Sequence, residues 1–267
     1  MIKLITPISH LFINDSDVTQ ICQLSDQFEA RERTCSLRLE RTTHYHIDFD
    51  LNLGLSKRQL DFLKDHVKDR EAIQTLTFQA SRDCLEHELQ DGMFRLVSKP
   101  LTFSEQLYNI KESIALIKDI VGTSRTIGIE NNNYYPTGAY DICTSSNFLL
   151  TVFDETELMF LFDMAHAFVS AYNLKADFKD YSNCLLSSGR CIQLHLCEPS
   201  FTYKHGDSLA VDSHDLPSPA TTIQAIKTSQ DFDIPSITVE YYRDAYKLSE
   251  YLSYLRQIWY FQKGRNL

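Results

Sequence analysis

Asp163 and His166 stand three positions apart in DMAH, directly after the apolar run ELMFLF. A carboxylate and an imidazole at that spacing are either a metal-ligand pair at a strand end or a helix start, because aspartate is a favoured N-cap. Residues of the same types close other short apolar runs. They are His44 and His46 in THYHIDF, Glu86 and His87 after LTFQAS, and Glu130 at the end of TIGIE. His195 in CIQLH, Asp212 and His214 in VDSH and Glu240 in ITVE continue the series. Any one alone would serve as a loop hydrogen-bonding residue, a core histidine or a turn former. Recurrence at the end of nearly every later run argues for convergence, and converging carboxylates repel one another unless a cation sits among them. Imidazole with carboxylate suits zinc, iron or manganese. Asp163 and His166 are therefore read as ligands in a metal cluster.

A set of strands must position such a cluster. The runs IKLITPI, CSLRLE, THYHIDFDL, IQTLTFQAS, TIGIE, ELMFLFD, CIQLHL and SITVEYY alternate with amphipathic stretches such as SKRQLDFLKDHVKD and FSEQLYNIKESIALIKDIV. That alternation predicts an α/β fold with a parallel sheet of βα units, and eight runs predict a (β/α)8 TIM barrel. The helix between the second and third runs is missing or very short. In such a barrel the C-terminal strand ends meet at one mouth. No repeat, low-complexity tract or linker interrupts the pattern, so residues 1–267 read as one TIM-barrel domain. The stretch 198–221, EPSFTYKHGDSLAVDSHDLPSPAT, is too long and polar for an ordinary βα connection and reads as a loop that is either functional or disordered.

Bulk properties narrow the function. A formal net charge of −10 disfavours a nucleic-acid partner, since no basic run compensates it. The N-terminus MIKLITPISHLF has neither a spanning length of apolar residues nor a cleavage site, so no membrane role and a cytoplasmic location are expected. Seven cysteines, Cys22, Cys35, Cys84, Cys143, Cys184, Cys191 and Cys197, include no CxxC pair and read as mostly reduced and structural.

The order Glu, Asp-x-x-His, His, Asp-x-His, Glu resembles the xylose-isomerase-like barrel superfamily, which includes endonuclease IV. A closer resemblance is to the multinuclear non-haem iron-dependent oxidative enzymes, the DUF692-type family of the methanobactin biosynthesis oxidase. IENNNYYP, AFVSAYN, VDSHDLPSP, HIDFDLNLG and EHELQDGMFRLVSKPLTFSEQL are similar to stretches of that family. The resemblance covers the chain from about Thr43 onward. It implies metal ligands at His46, His87, Glu130, Asp163, His166, His195, Asp212, His214 and Glu240, with Asp163, His195, Asp212 and Glu240 at the catalytic centre. It further implies two or three iron ions, with zinc or manganese as alternatives. The reaction would be oxidation by dioxygen of a residue, a cysteine above all, in a ribosomally made precursor peptide presented by a small partner protein.

This chain departs from the family at His166, where Asn is usual, at Asp215 in place of Gly, and at Glu86 in place of Asp. Asn131, Tyr134, Tyr135, Tyr203 and Arg243 are candidates for supporting or peptide contacts. Competing readings are a zinc phosphodiesterase like endonuclease IV, a sugar isomerase or epimerase of the same superfamily, and a scaffold that has lost its chemistry. The C-terminal segment YLSYLRQIWYFQKG, with Trp259, reads as a final barrel helix or a docking surface.

Overall fold

The computed structural model describes residues 2–14, 18–204 and 207–263. Twelve strands are present among them: β1 (Lys3–Pro7), β2 (Gln27–Arg31), β3 (Thr42–Asp50), β4 (Thr75–Gln79), β5 (His87–Gln90) and β6 (Met93–Leu96), then β7 (Thr126–Glu130), β8 (Met159–Asp163), β9 (Cys191–Leu196), β10 (Glu198–Lys204), β11 (Asp207–Asp215) and β12 (Ser236–Val239). Eight of them close into a barrel in the order β1-β12-β9-β8-β7-β4-β3-β2, and every pairing is parallel. The remaining four form two antiparallel hairpins, β5-β6 and β10-β11. The expected TIM barrel is the observed one.

Outward-facing residues such as Phe28, Tyr45, Ile47, Phe78 and Phe160 are fully buried beneath the surrounding helices and build the core. Helix starts are fixed locally. Ser56 with Gln59, and Thr102 with Glu105, form reciprocal capping boxes at helices Lys57–His66 and Phe103–Val121. The final helix, Ala245–Lys263, buries Leu252, Leu255 and Trp259 against the core, so its described face up to Trp259 is barrel packing. Residues 264–267, at the very end of the chain, lie outside the described residues.

Two sequence expectations need correction. The second barrel strand is QFEAR (Gln27–Arg31) and not CSLRLE, which forms no strand. In QFEAR, Phe28 and Ala30 face the helices while the alternate positions put Glu29 and Arg31 into the barrel, so the interior face is charged and the run does not look apolar. Between β2 and β3 the helix is very short, as expected: a single 3-10 turn, Glu32–Thr34. The stretch 198–221 is mostly an ordered hairpin followed by the start of helix Pro219–Asp231, capped by Ser218; positions 205–206 within it lie outside the described residues.

Candidate metal centre

The register of the barrel sets which strand ends face one another. Asp163 and His195 are paired positions across β8 and β9, and Arg31 and His46 are paired across β2 and β3. Glu130 ends β7, and Glu240 follows β12 directly. At the mouth, ligand-type atoms of Glu130, Asp163, His195 and Glu240 all lie within 4.8 Å of one another, and all four residues are buried. His195 Nδ1 is 3.2 Å from Glu130 Oε1 and 3.3 Å from Glu240 Oε1.

The network extends on both sides of this group. His46 Nε2 lies 3.5 Å from Glu130 Oε2. His166 Nε2 lies 3.4 Å from Asp212 Oδ2, and His214 Nε2 lies 3.4 Å from Glu240 Oε2. Of the nine residues singled out in the sequence, all but His87 are thus brought together. His87 opens the outer hairpin, with its ring edge-to-face against Phe94 at 4.6 Å. The strand that leads to it ends at Gln79, whose amide nitrogen is 3.2 Å from His46 Nε2.

Asp163 does both things its sequence context suggests. One oxygen, Oδ1, accepts a hydrogen bond from the His166 backbone at 2.7 Å and caps helix Met164–Leu174. The other, Oδ2, is buried without a hydrogen-bond partner and points into the cluster. Asn131 clamps this corner, because its side chain accepts from Asp163 N and donates to Asp163 O. The Asn131 carbonyl in turn holds His166 Nδ1 at 2.9 Å, which leaves Nε2 free to face the site.

Outer partners orient the other imidazoles in the same way, a common arrangement around metal ligands. His195 Nε2 is 3.1 Å from Glu29 Oε2, which leaves Nδ1 without a hydrogen-bond partner among the carboxylates. His46 Nδ1 is 3.0 Å from Thr77 Oγ1. Arg31 pairs with both Glu29 and Glu240, and Tyr242 donates to Glu240 Oε1 at 2.9 Å. Glu29, Arg31, Gln193 and Tyr242 were not singled out in the sequence. The alternation F-E-A-R was the available signal for the first two, and the i−2 position relative to His195 was the signal for Gln193. Of the supporting candidates, Tyr135 lies within reach of Asp212 N through its hydroxyl, and Arg243 holds the Ser213 carbonyl and Asp215 beside His214. Tyr134 is anchored through its backbone to Ser170, and Tyr203 is exposed on the β10 hairpin.

The site is an anionic cage in which the carboxylates take Arg31 and the histidines as counter-charges. Burial, with help from Glu130 and Glu240, pushes Asp163 up to about 7. Burial works against charging His166 and His195, yet the carboxylates around them outweigh it and hold both well above the usual histidine range. Burial also opposes ionisation of Glu29 and Glu130, but Arg31 and His195 keep Glu29 ionised, and His46 and His166 do so for Glu130. Metal ions fit these residues. Two orphaned buried atoms, Asp163 Oδ2 and His195 Nδ1, lie 4.0 Å apart among further oxygen donors, and a cation satisfies them all.

Because Glu29 orients His195 without joining the group of four, Glu29→Gln is expected to weaken metal binding by roughly 10–100-fold while leaving the number of sites unchanged. Equilibrium dialysis against a metal-buffered series checks this. Unchanged affinity would remove Glu29 from the account.

The mouth opens into a cavity of about 770 Å3. Its walls include Arg31 from the end of β2, Arg82 from the loop after β4, Phe94 from one hairpin, and Asp212 and His214 from the other. A family model described as the RiPP precursor modification enzyme MbnB/TglH/ChrH matches residues 51–263. The chain belongs to this family. RiPPs are ribosomally synthesised peptides modified after translation, so the protein is an enzyme of a family whose substrates are precursor peptides. No curated protein matches the chain.

Solved structures show the same barrel at low identity. The 3-keto-D-glucoside 4-epimerase YcjR from E. coli is 12% identical over 96% of this chain and 100% of its own, with a TM-score of 0.59. A xylose isomerase domain protein from Planctomyces limnophilus is 10% identical over 99% of this chain and 97% of its own, also at 0.59. Mannonate dehydratase from Streptococcus suis serotype 2 is 13% identical over 98% and 95%, again at 0.59. These likenesses establish a xylose-isomerase-like TIM barrel. Among the described residues no helix is long and apolar enough to cross a membrane.

Proposed function

We propose that this enzyme is a multinuclear non-haem iron oxidase that uses dioxygen to modify a cysteine of a ribosomal precursor peptide. The observation that carries the reading is the buried Glu130, Asp163, His195 and Glu240 group in a chain of a peptide-modifying family. His46, Glu130, Asp163, His166, His195, Asp212, His214 and Glu240 would hold two or three iron ions, and His87 falls outside this set. When bound, the ions would supply an acidified thiol site and the electrons that dioxygen chemistry needs.

The chain's own residues do the rest. Glu29, Asn131 and Thr77 fix the ring nitrogens that face the site. Arg31 and Tyr242 hold one oxygen of Glu240. A cavity of about 770 Å3 is large enough for a stretch of peptide, and Glu130, His166 and Glu240 line its polar floor. Both hairpins that contribute to the walls expose large apolar side chains, Leu89 at 69% and Phe201 at 51%. These surfaces support a small partner protein that brings the peptide to the mouth.

The test is elemental analysis of protein purified without oxygen, with optical and Mössbauer spectra. Two or three irons per chain, and a charge-transfer band that responds to a cysteine-bearing precursor peptide, are expected. Zinc alone, unchanged after iron-supplemented growth, overturns the oxidase reading in favour of a hydrolase.

A further inference from the structure

A second set of ligand-type atoms lies in the same mouth, and one of its members was read in the sequence as structural. A sulfur of Cys197, a carboxylate oxygen of Asp212 and a ring nitrogen of His214 are mutually within 4.8 Å. Strand alternation explains how the thiol arrives there. Gln193, His195 and Cys197 are spaced two apart, so a cysteine just past the end of β9 faces the same way as His195, into the barrel. It is fully buried. Its Sγ lies 3.9 Å from Asp212 Oδ1, and His214 Nδ1 lies 3.2 Å from that same oxygen.

Two further features point to a ligand at this place. His214 adopts a left-handed backbone, with φ 47, a conformation uncommon in non-glycine residues. Asp212 Oδ1 accepts from His214 N at 3.3 Å and fixes the turn that aims the ring inward. Asp163, whose charge adds to burial in pushing the Cys197 thiol up, presents the buried oxygen Oδ2 with no hydrogen-bond partner.

We propose that Cys197 is a sulfur ligand to a metal ion held together with Asp212 and His214, so that the cluster of this enzyme contains a thiolate of the protein itself. The inference rests on the reading of the mouth as a metal centre and adds a ligand to it. Binding forms a metal–sulfur bond and releases the thiol proton to water, so no oxidant or reductant is consumed. A thiolate selects for softer ions such as zinc or iron(II) over magnesium or calcium at this position. With Cys197 as a ligand here, a substrate thiol would have to bind elsewhere in the site.

The full chain, stripped of metal and reconstituted with cobalt(II) without oxygen or peptide, reads this out directly. Wild type is expected to show a sulfur-to-cobalt charge-transfer band in the near ultraviolet. Cys197→Ser and Cys197→Ala are expected to lose the band and bind one cobalt fewer, while Cys191→Ser retains both. Cobalt uptake by wild type without the band, or a band that survives Cys197→Ser, overturns the proposal and leaves the metal-centre reading standing. No uptake by wild type overturns both. Should the Cys197 variants not fold, X-ray absorption of the zinc-loaded wild type decides. A sulfur scatterer at about 2.3 Å supports the proposal, and a shell of nitrogen and oxygen alone overturns it.

Discussion

Glu130→Gln is expected to cost the enzyme more than one bound metal ion per chain, a larger loss than any other single-carboxylate replacement in the site. Glu130 sits between three imidazoles. Its Oε1 is 3.2 Å from His195 Nδ1 and 3.9 Å from His166 Nδ1, and its Oε2 is 3.5 Å from His46 Nε2. A carboxylate whose two oxygens face different nitrogens is placed to bridge ions, and glutamine keeps its volume while giving up one anionic oxygen. Asp212, by contrast, faces two imidazoles, those of His166 and His214, and the Cys197 thiol, so Asp212→Asn is expected to remove a single ion. Activity on a precursor peptide should fall in Glu130→Gln well beyond the roughly 10–100-fold expected of an outer-shell change such as Glu29→Gln. Elemental analysis gives the stoichiometry. Thermal melts separate metal loss from misfolding, because the metal-free variant should melt near metal-free wild type. A full wild-type metal complement in Glu130→Gln would sink the bridging role.

The parts of the site legible in the sequence were those carried by apolar strands ending in a ligand-type residue. TIGIE and ELMFLFD bury Ile129, Phe160 and Phe162 beside Glu130 and Asp163, so hydrophobic period and chemistry coincide. QFEAR was illegible for the opposite reason. Its inward positions, Glu29 and Arg31, are charged because they serve the cluster, and a strand half filled with charge loses its apolar signature. His87 was misplaced because β4 ends at Gln79 and the chain then turns outward into a hairpin, a path set by antiparallel pairing of His87 with Leu96 and not by local pattern. Cys197 was passed over because a cysteine without a CxxC partner looks structural, and only the return of Asp212 and His214 on β11 gives it neighbours. Local periodicity thus reports the barrel, while contacts made by long-range returns of the chain report the finer membership of the site.

Metal removal should make the stability of this protein fall with rising pH, and metal loading should abolish that fall. In the metal-free protein Asp163 is pushed up to about 7, and His166 and His195 are held above the usual histidine range. A group whose folded pKa is raised contributes stability that is fully present below its unfolded pKa and is lost as pH rises through the folded value. All three therefore act in the same direction, and the metal-free protein should melt progressively lower as pH passes through about 7. Glu29, Glu130, Asp212 and Glu240 are lowered, so their contribution disappears at the acid end instead, as pH falls through the carboxylate range. Bound cations replace the imidazolium protons as counter-charges, which removes the alkaline slope. Because His166 and His195 must release protons before they can coordinate, metal affinity should rise with pH over the same window. A site saturated at a thousandfold excess over Kd adds about 4 kcal/mol of stability. For a chain of this size that corresponds to a rise in Tm of roughly 8–16 °C. Differential scanning calorimetry with and without chelator, on both sides of pH 7, measures the slope and the shift together. If the chelator leaves Tm unchanged at both pH values, the carboxylates are balanced by protonated histidines alone and the cluster is not a metal centre.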